Sequence, residues 1–266
     1  MMKIGFIGAG NMASAIIKGI LSSGRLTADQ IYVSDVNPNA CTQMEEIGVQ
    51  VSASNQKLVS SVDCVVLAIK PVYADAVVQE VYNEITGKFV ISIIGSWAHE
   101  KLKEVLPEST RFVRIMPNTP LAVGEGMSLI GRTYTCTPEE LEFAKEVFSA
   151  AGKVYMIEDH AFTAASGISG CGPAFVYQFI EALADGGVRY GVPRATAYEL
   201  AAQTLIGAAK MVMETHQHPG ALKDAVCSPG GTTIEGVYAL ERSGLRAAVI
   251  DAVGATVEKT NRINNK

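Results

Sequence analysis

A mostly parallel α/β domain followed by an all-α helical domain is the fold class that this 266-residue sequence predicts. Three observations carry it. Short, solid apolar runs alternate with helical patterns over residues 3–157, which implies βαβ units around a parallel sheet. The first run leads straight into Gly8-Ala9-Gly10, a glycine turn that opens a helix. After about Asp159 no strand-like run remains, and long Ala-rich helical segments take over. The domains are therefore placed at residues 1–160 and 161–266.

Residues 3–7, 31–33, 49–51, 64–69, 89–94 and 111–116 read as strands. Several are unbroken apolar runs, as expected of strands covered on both faces. Helices are predicted over 12–22, 38–47, 72–84 and 99–105. Two further strands, 127–130 and 154–157, flank a helix starting at Thr137-Pro138-Glu139-Glu140. Thr137 suits the N-cap, Pro138 the first helical position and Glu140 the third, which is the pattern of a capping box. In the second domain helices are expected over 173–190, 194–214, 219–226, 233–243 and 245–260, punctuated by Gly191, Pro193, Gly220 and Gly244. Small residues such as Ala182, Gly186, Gly187 and Ala201 let these helices approach closely. So short an apolar helical stretch is poorly able to close its own core, and a core shared in a homodimer is expected.

Composition narrows the function. Hydrophobic residues make up 48% and charged residues 18%, as in a globular chain. A formal net charge of −5 offers no basic footprint for nucleic acid or an anionic membrane. The apolar N-terminus suggests a secretory leader, but Gly8, Gly10, Asn11 and Lys18 interrupt it and no cleavage site follows. No run approaches the ~18 apolar residues of a membrane span. Five cysteines, at 41, 64, 136, 171 and 227, are odd in number and lack a CxxC pair, which fits reduced thiols in a cytoplasm. His216 and His218 have a poor spacing for a shared metal, and a solvated loop is the expectation there.

Gly8, Ala9, Gly10, Asn11, Met12 and Ala13 form the GxGxx(G/A) fingerprint between a strand and a helix, which marks a Rossmann-type dinucleotide site. Gly8 permits the tight turn, Gly10 lets a pyrophosphate approach the backbone, and Ala13 lets helix and strand pack. The cofactor expected is NADPH or NADH. Ser34-Asp35-Val36-Asn37 close the second strand, with Asp35 at the offset of an acid that binds the adenosine ribose. A carboxylate there repels a 2′-phosphate and leans toward NADH. Ser34 and Asn37 could instead hydrogen-bond a phosphate, and Asp35 could cap the next helix, so the preference stays open. Ala68-Ile69-Lys70-Pro71 and Met116-Pro117-Asn118-Thr119-Pro120 lie at two more strand ends, where ligands of open α/β sheets sit. Lys70 reads equally as a cofactor contact or a solvated lysine. Asn118, polar and near two prolines, has the better claim.

Near the C-terminus, Ser228-Pro229-Gly230-Gly231-Thr232-Thr233 carries two adjacent glycines, three hydroxyls and no titratable group. Glycines let the backbone curl and bring N–H groups close to a ligand, and a following helix adds a positive dipole end. The segment suits a small anion. With no acid or base present, the reactive group must come from the nucleotide half.

GAGNMA, AIKP and MPNTP in the first half, with SGCGPAF (169–175), ALADGG (182–187) and His218-Pro219-Gly220…Asp224…SPGGTT in the second, resemble the pyrroline-5-carboxylate reductases across essentially the whole chain. That resemblance implies NAD(P)H-dependent reduction of 1-pyrroline-5-carboxylate to L-proline, the final step of proline biosynthesis. It implies homodimers through the helical domains and further assembly into decamers. By resemblance, Gly230, Gly231, Thr232 and Thr233 hold the substrate carboxylate and ring nitrogen, with Thr233 as the catalytic hydroxyl. Asn55 touches the adenosine, and Ala68, Ile69, Lys70, Pro71 and Asn118 lie on the nicotinamide side. Cys171 stands where serine is usual and Phe175 where tyrosine often stands; the thiol suggests oxidant sensitivity.

The residues agree with this chemistry. A cyclic imine carbon is already electrophilic, so reduction needs positioning more than acid–base machinery. Backbone amides at Gly231 and Thr232 are candidates for the carboxylate. Thr232-x-x-Glu235 matches a capping box, which assigns Thr232 to the helix start and leaves Thr233 for the substrate. Glu181 and Asp185 read as solvated or helix-pairing, and Lys57, Arg111 and Arg114 as surface or strand-end charges. One rival is a β-hydroxyacid-type dehydrogenase, a class that relies on a lysine in the first long helix of the second domain; residues 173–189 contain none. The other is a non-catalytic NAD(P)H-sensing module, for which no DNA-binding element or basic arm speaks.

Overall fold

The structure, a computed structural model, describes residues 2–264. Its strands are β1 (Ile4–Ile7), β2 (Ile31–Ser34), β3 (Gln50–Val51), β4 (Cys64–Leu67), β5 (Phe89–Ser92), β6 (Arg111–Met116), β7 (Gly126–Gly131) and β8 (Gly152–Ile157). They form one sheet in the order β3-β2-β1-β4-β5-β6-β7-β8, parallel throughout except for the β6–β7 pair. All eight expected strands are present. The helices that cover the sheet are α1 (Asn11–Ser22), α2 (Pro38–Glu45), α3 (Asn55–Ser61), α4 (Pro71–Glu80), α5 (Tyr82–Ile85), α6 (His99–Val105), α7 (Pro138–Ser149) and α8 (Asp159–Ser169).

Successive strand residues point to opposite faces, and each face has its own core. Phe6, Val66 and Ile91 pack with Ile16, Ile17 and Ile20 of α1 and Val147 and Phe148 of α7. Ile7, Val65, Leu67 and Val90 pack with Leu58 of α3, Val78 of α4 and Leu102 of α6. Burial on both faces explains why these strands read as solid apolar runs. The parallel run from β3 to β6 places its six C-terminal strand ends on one edge, where the glycine turn lies.

The start of α7 is the expected capping box: Thr137 Oγ1 accepts from Glu140 N–H, and Glu140 accepts from Thr137 N–H at 2.9 Å. Glu140 is buried and also takes Arg111 Nε on both oxygens, at 2.9 and 3.0 Å. Arg111 is therefore a tie between β6 and α7 rather than a strand-end charge. The helix expected over 72–84 is broken at fully buried Val81, which leaves helical geometry with ψ 15°. Two helices go beyond the sequence reading. α3 is short and polar, held by Ser54 at its N-cap and by inward Leu58 and Val59. α8 buries only Phe162 and Gly167.

Two compact units follow, one made of the described residues up to Cys171 together with those from Thr256 on, the other of Gly172–Ala255. The break lies beyond residue 160 because α8 sits against the sheet: its Phe162 ring is beside Gly131 of β7. The second unit contains α9 (Gly172–Arg189), α10 (Arg194–Thr215), α11 (Pro219–Ala225), α12 (Thr232–Arg242) and most of α13 (Leu245–Asn264). Arg194 of α10 pairs with Asp185 of α9, the helix-pairing role expected of Asp185. His218 Nδ1 accepts from Gly220 N–H at 3.0 Å and caps α11, and His216 takes a left-handed φ of 55° at the end of α10. Among the described residues of this unit the buried hydrophobics are Ala184, Ala197 and Ala201, whereas Leu183, Leu200, Ile206 and Met213 are exposed. No helix of the described residues is long and apolar enough to cross a membrane.

All five cysteines are free thiols. Burial raises the Cys64 thiol well above its ordinary pKa, and burial with the Glu140 charge pushes Cys136 up to about 11. Since the thiolate is the reactive form, alkylation of both in the native protein at pH 8 should be at least ~100-fold slower than in denaturant. Peptide mass spectrometry after timed iodoacetamide treatment reads this directly; equal native and denatured rates would contradict it.

Candidate active site

The turn between β1 and α1 is a cradle of amides. Gly8 has φ 101°, and a Cβ there would sit 2.4 Å from the Ala68 carbonyl oxygen. Its N–H donates to Ser34 O at 2.8 Å, which ties β1's end to β2's end. Beside Gly10 the space is open, with no heavy atom within 4 Å of where a Cβ would lie. Gly10 is the N-cap of α1, so Asn11, Met12 and Ala13 carry N–H groups without intrahelical partners. Fully buried Ala13 and Ile16 seat the helix on the sheet. Open space beside backbone N–H groups at a dipole's positive end fits a dinucleotide pyrophosphate.

Asp35 does more than the sequence suggests. Its Oδ2 accepts from Ala9 N–H at 2.7 Å and its Oδ1 from Asn37 N–H at 2.8 Å. It braces the glycine turn from the neighbouring strand. The cap of α2 is Asn37, whose Oδ1 accepts from Asn39 N–H at 3.1 Å. Next to Asp35 lies a cavity of about 460 Å³ lined by Gly8, Ser34, Val36, Asn55, Tyr73 and Glu80 among others. Val36 is 99% exposed and Tyr73 61%, apolar walls of the kind an adenine ring can lie against. Asn55 Nδ2 donates to Glu80 Oε2 at 2.9 Å. Because a carboxylate only accepts, this bond turns the Asn55 Oδ1 away as a free acceptor.

At the other strand ends the expectations divide. Ala68 and Ile69 are half-buried, and Ile69 lines the cavity just described. Lys70 is exposed at the N-cap of α4, with Pro71 at the first helical position. Asn118 is 7% exposed and is held at both ends of its amide: Nδ2 donates to Ser169 O at 2.9 Å and Oδ1 accepts from Met127 N–H at 2.8 Å. Its side chain joins β7 and the end of α8. Arg114 is no surface charge either. Its guanidinium lies 3.9 Å from the Phe162 ring centroid, donates to Gly95 O at 3.2 Å, and is lowered by burial to about 10. It helps line a second cavity, about 240 Å³, with Pro71, Ser96, Met116, Ser166 and Cys171. The Ser166 Oγ is buried there without a hydrogen-bond partner.

In the helical unit, Ser228-Pro229-Gly230-Gly231 is a β-turn closed by Gly231 N–H to Ser228 O at 3.0 Å. Pro229 precedes Gly230 at φ 65°, the arrangement of a type II turn. Gly231, with extended φ −79° and ψ 168°, is the N-cap of α12 and makes no side-chain cap bond. The capping role expected of Thr232 is therefore not found: Thr232 is already the first helical residue, and Glu235 falls one position too late for the box. Gly231's amide is likewise engaged by the turn rather than free for a carboxylate. The N–H groups of Thr232, Thr233 and Ile234 are the unpaired ones, and both threonine side chains are exposed.

Residues 159–263 match the family model for pyrroline-5-carboxylate reductase dimerisation, and residues 3–95 match that for coenzyme F420-dependent NADP oxidoreductases. A pyrroline-5-carboxylate reductase of Methanosarcina acetivorans is 44% identical, covering 99% of this chain and 98% of the relative. That of Escherichia coli is 40% identical, covering 98% of each. The crystal structure of Plasmodium falciparum pyrroline carboxylate reductase with NADP bound superposes with a TM-score of 0.91 at 32% identity, covering 99% of this chain and 98% of that one. The chain belongs to the pyrroline-5-carboxylate reductases. It is thus an oxidoreductase of the CH–NH group that uses NAD(P)H to reduce pyrroline-5-carboxylate to proline.

In this reductase the fingerprint turn, Asp35, Asn55 and the Ala68–Ile69 strand end lie together at one edge of the sheet. Sequence reasoning does not single out Glu80, Tyr73, Arg114 or Ser166 as site residues. Glu80 and Tyr73 lie on α4, and no local pattern distinguishes them. Arg114 has a readable signal, a second charge placed between the apolar residues of β6.

Proposed function

We propose that this reductase works by binding and orientation alone, with its own residues neither donating a nucleophile nor cycling a proton. The carrying observation is the SPGGTT turn, which presents free helix N–H groups and two exposed threonine hydroxyls with no acid or base in the tract. Reduction of the imine forms one C–H bond, from a hydride, and one N–H bond, from a proton that the ring nitrogen takes from solvent before the hydride arrives. When bound, the nicotinamide supplies the hydride; a protonated ring nitrogen makes the carbon a better acceptor.

The first-turn amides of Thr232, Thr233 and Ile234, at the positive end of α12, suit the substrate carboxylate. Thr233 is the hydroxyl assigned to the ring nitrogen, and Gly230 and Gly231 shape the turn that presents it. Thr233→Ala should lower kcat/KM by roughly 10–100-fold, the loss of one positioned hydrogen bond, with cofactor affinity unchanged. An unchanged kcat/KM removes Thr233 from the mechanism. In the nucleotide half, the amides of Gly10, Asn11 and Met12 suit the pyrophosphate, while Ser34, Asp35 and Asn55 face the adenosine. Ala68, Ile69, Lys70 and Pro71 are assigned to the nicotinamide side. Asn118, with one amide hydrogen and one oxygen lone pair beyond its two bonds, is assigned to the same side.

Consumption of NADH or NADPH on adding pyrroline-5-carboxylate, followed by the loss of nicotinamide absorbance, tests the reaction itself. No oxidation with either cofactor overturns it. The exposed Leu200 and Ile206 of α10, in a unit with so few buried residues, support a homodimer through the helical domain, with a decamer as the further assembly. Substituting both by Glu should convert the dimer to monomers in light scattering, because paired charges do not enter an apolar interface. Acidic composition and free cysteines support a cytoplasmic enzyme.

A further inference from the structure

The adenosine-side cavity carries a charge pattern that the assigned reaction does not require. Its lining residues include two carboxylates, Asp35 and Glu80, and no lysine, arginine or histidine. Both carboxylates are held in place. Asp35 is fixed by the Ala9 and Asn37 amides, and Glu80 by Asn55 Nδ2. Neither has a basic partner among these bonds.

We propose that this cavity selects a dinucleotide lacking the 2′-phosphate, so that Asp35 and Glu80 make the reductase prefer NADH. The inference rests on the adenosine role assigned above to Asp35 and Asn55. A ribose 2′-hydroxyl can donate to a fixed carboxylate, whose remaining lone pairs are available after two backbone bonds. A 2′-phosphate brings close to two negative charges and no donor to the same place. Sites that accept such a phosphate offer an arginine instead. Here the Asn55–Glu80 bond also has a positioning effect. It leaves the Asn55 Oδ1 as an acceptor for an amino group, such as the exocyclic amine of adenine, which both cofactors share. Glu80 therefore acts in two ways: it orients Asn55 for either cofactor and adds negative charge against one of them.

The test is equilibrium binding of NADH and of NADPH to the substrate-free, full-length protein, read by nicotinamide fluorescence. NADH is expected to bind at least ~10-fold more tightly than NADPH, with the gap narrowing as salt rises. Glu80→Gln, whose amide oxygen can still accept from Asn55 Nδ2, should move the NADPH-to-NADH affinity ratio by roughly 3–10-fold toward NADPH. Asp35→Ser should move the NADPH-to-NADH affinity ratio by at least ~10-fold toward NADPH; the ratio is the readout, since Asp35 also braces the glycine turn. Equal affinities in the unmodified protein, or ratios unmoved by both variants, overturn the proposal. Because no substrate is present, failure to turn over pyrroline-5-carboxylate would sink the assigned reaction and leave this preference standing.

Discussion

Gly8→Ala should raise the Kd of both NADH and NADPH by at least ~100-fold in a chain that still folds. At φ 101° an L-residue is strained, and its Cβ would lie 2.4 Å from the Ala68 carbonyl oxygen. The first effect is worth about 1–3 kcal/mol and the overlap about as much again. The turn can relieve both by swinging away from β4, and that movement is what destroys the site. Gly8 N–H is bonded to Ser34 O, and the adjacent Ala9 N–H to Asp35. Displacement therefore disturbs together the amides assigned to the pyrophosphate and the Ser34–Asp35 side assigned to the adenosine. About 1.4 kcal/mol corresponds to each tenfold in Kd, so the combined strain reaches the stated loss. Fluorescence titration with each cofactor gives the affinities, and far-UV circular dichroism shows that the fold persists. Affinities within threefold of the unmodified protein would show that the turn tolerates a side chain.

Gly152→Ala tests the other end of the sheet and should reduce unfolding stability by about 3 kcal/mol. Gly152 begins β8 at φ 152°, paired with Gly126 of β7. A Cβ would fall 2.2 Å from the Gly126 oxygen and 2.5 Å from its nitrogen, both rigid backbone atoms. β7 cannot retreat, because a Cβ on Gly126 would itself lie 2.4 Å from Leu121 Cγ, and Gly126 N–H is already bonded to Ala151 O. For a chain of this size the loss corresponds to a Tm lower by roughly 6–12 °C. Cofactor and protein concentration must be matched between samples, since binding and assembly both shift Tm. A Tm within about 2 °C of the unmodified protein refutes the steric account.

The parallel strands were legible because burial on both faces leaves each as a continuous apolar run, Val65, Val66 and Leu67 being typical. The glycine fingerprint was legible because the positive φ at Gly8 and open space at Gly10 are demands that sequence can meet only with glycine. α3 was not legible, since NQKLVSS has too few apolar residues to show a period and is helical through its Ser54 cap and two inward side chains. Thr232 and Glu235 have capping-box spacing, yet the Pro229-Gly230 turn shifts the helix start and makes Gly231 the cap. Local spacing cannot register that shift.

By itself, then, the amino-acid sequence determined the strands, most of the helices and the glycine turns before α1 and α12, because each rests on periodicity or on glycine within a few residues. Only the tertiary structure decided how the polar groups are spent. Asn118 bonds Ser169, 51 residues away, Asp35 reaches back 26 residues to Ala9, and Glu80 crosses 25 residues to Asn55. A buried or crowded polar group takes whichever partner the packed fold brings within about 3 Å, and that proximity is set by the sheet and not by neighbours in the chain.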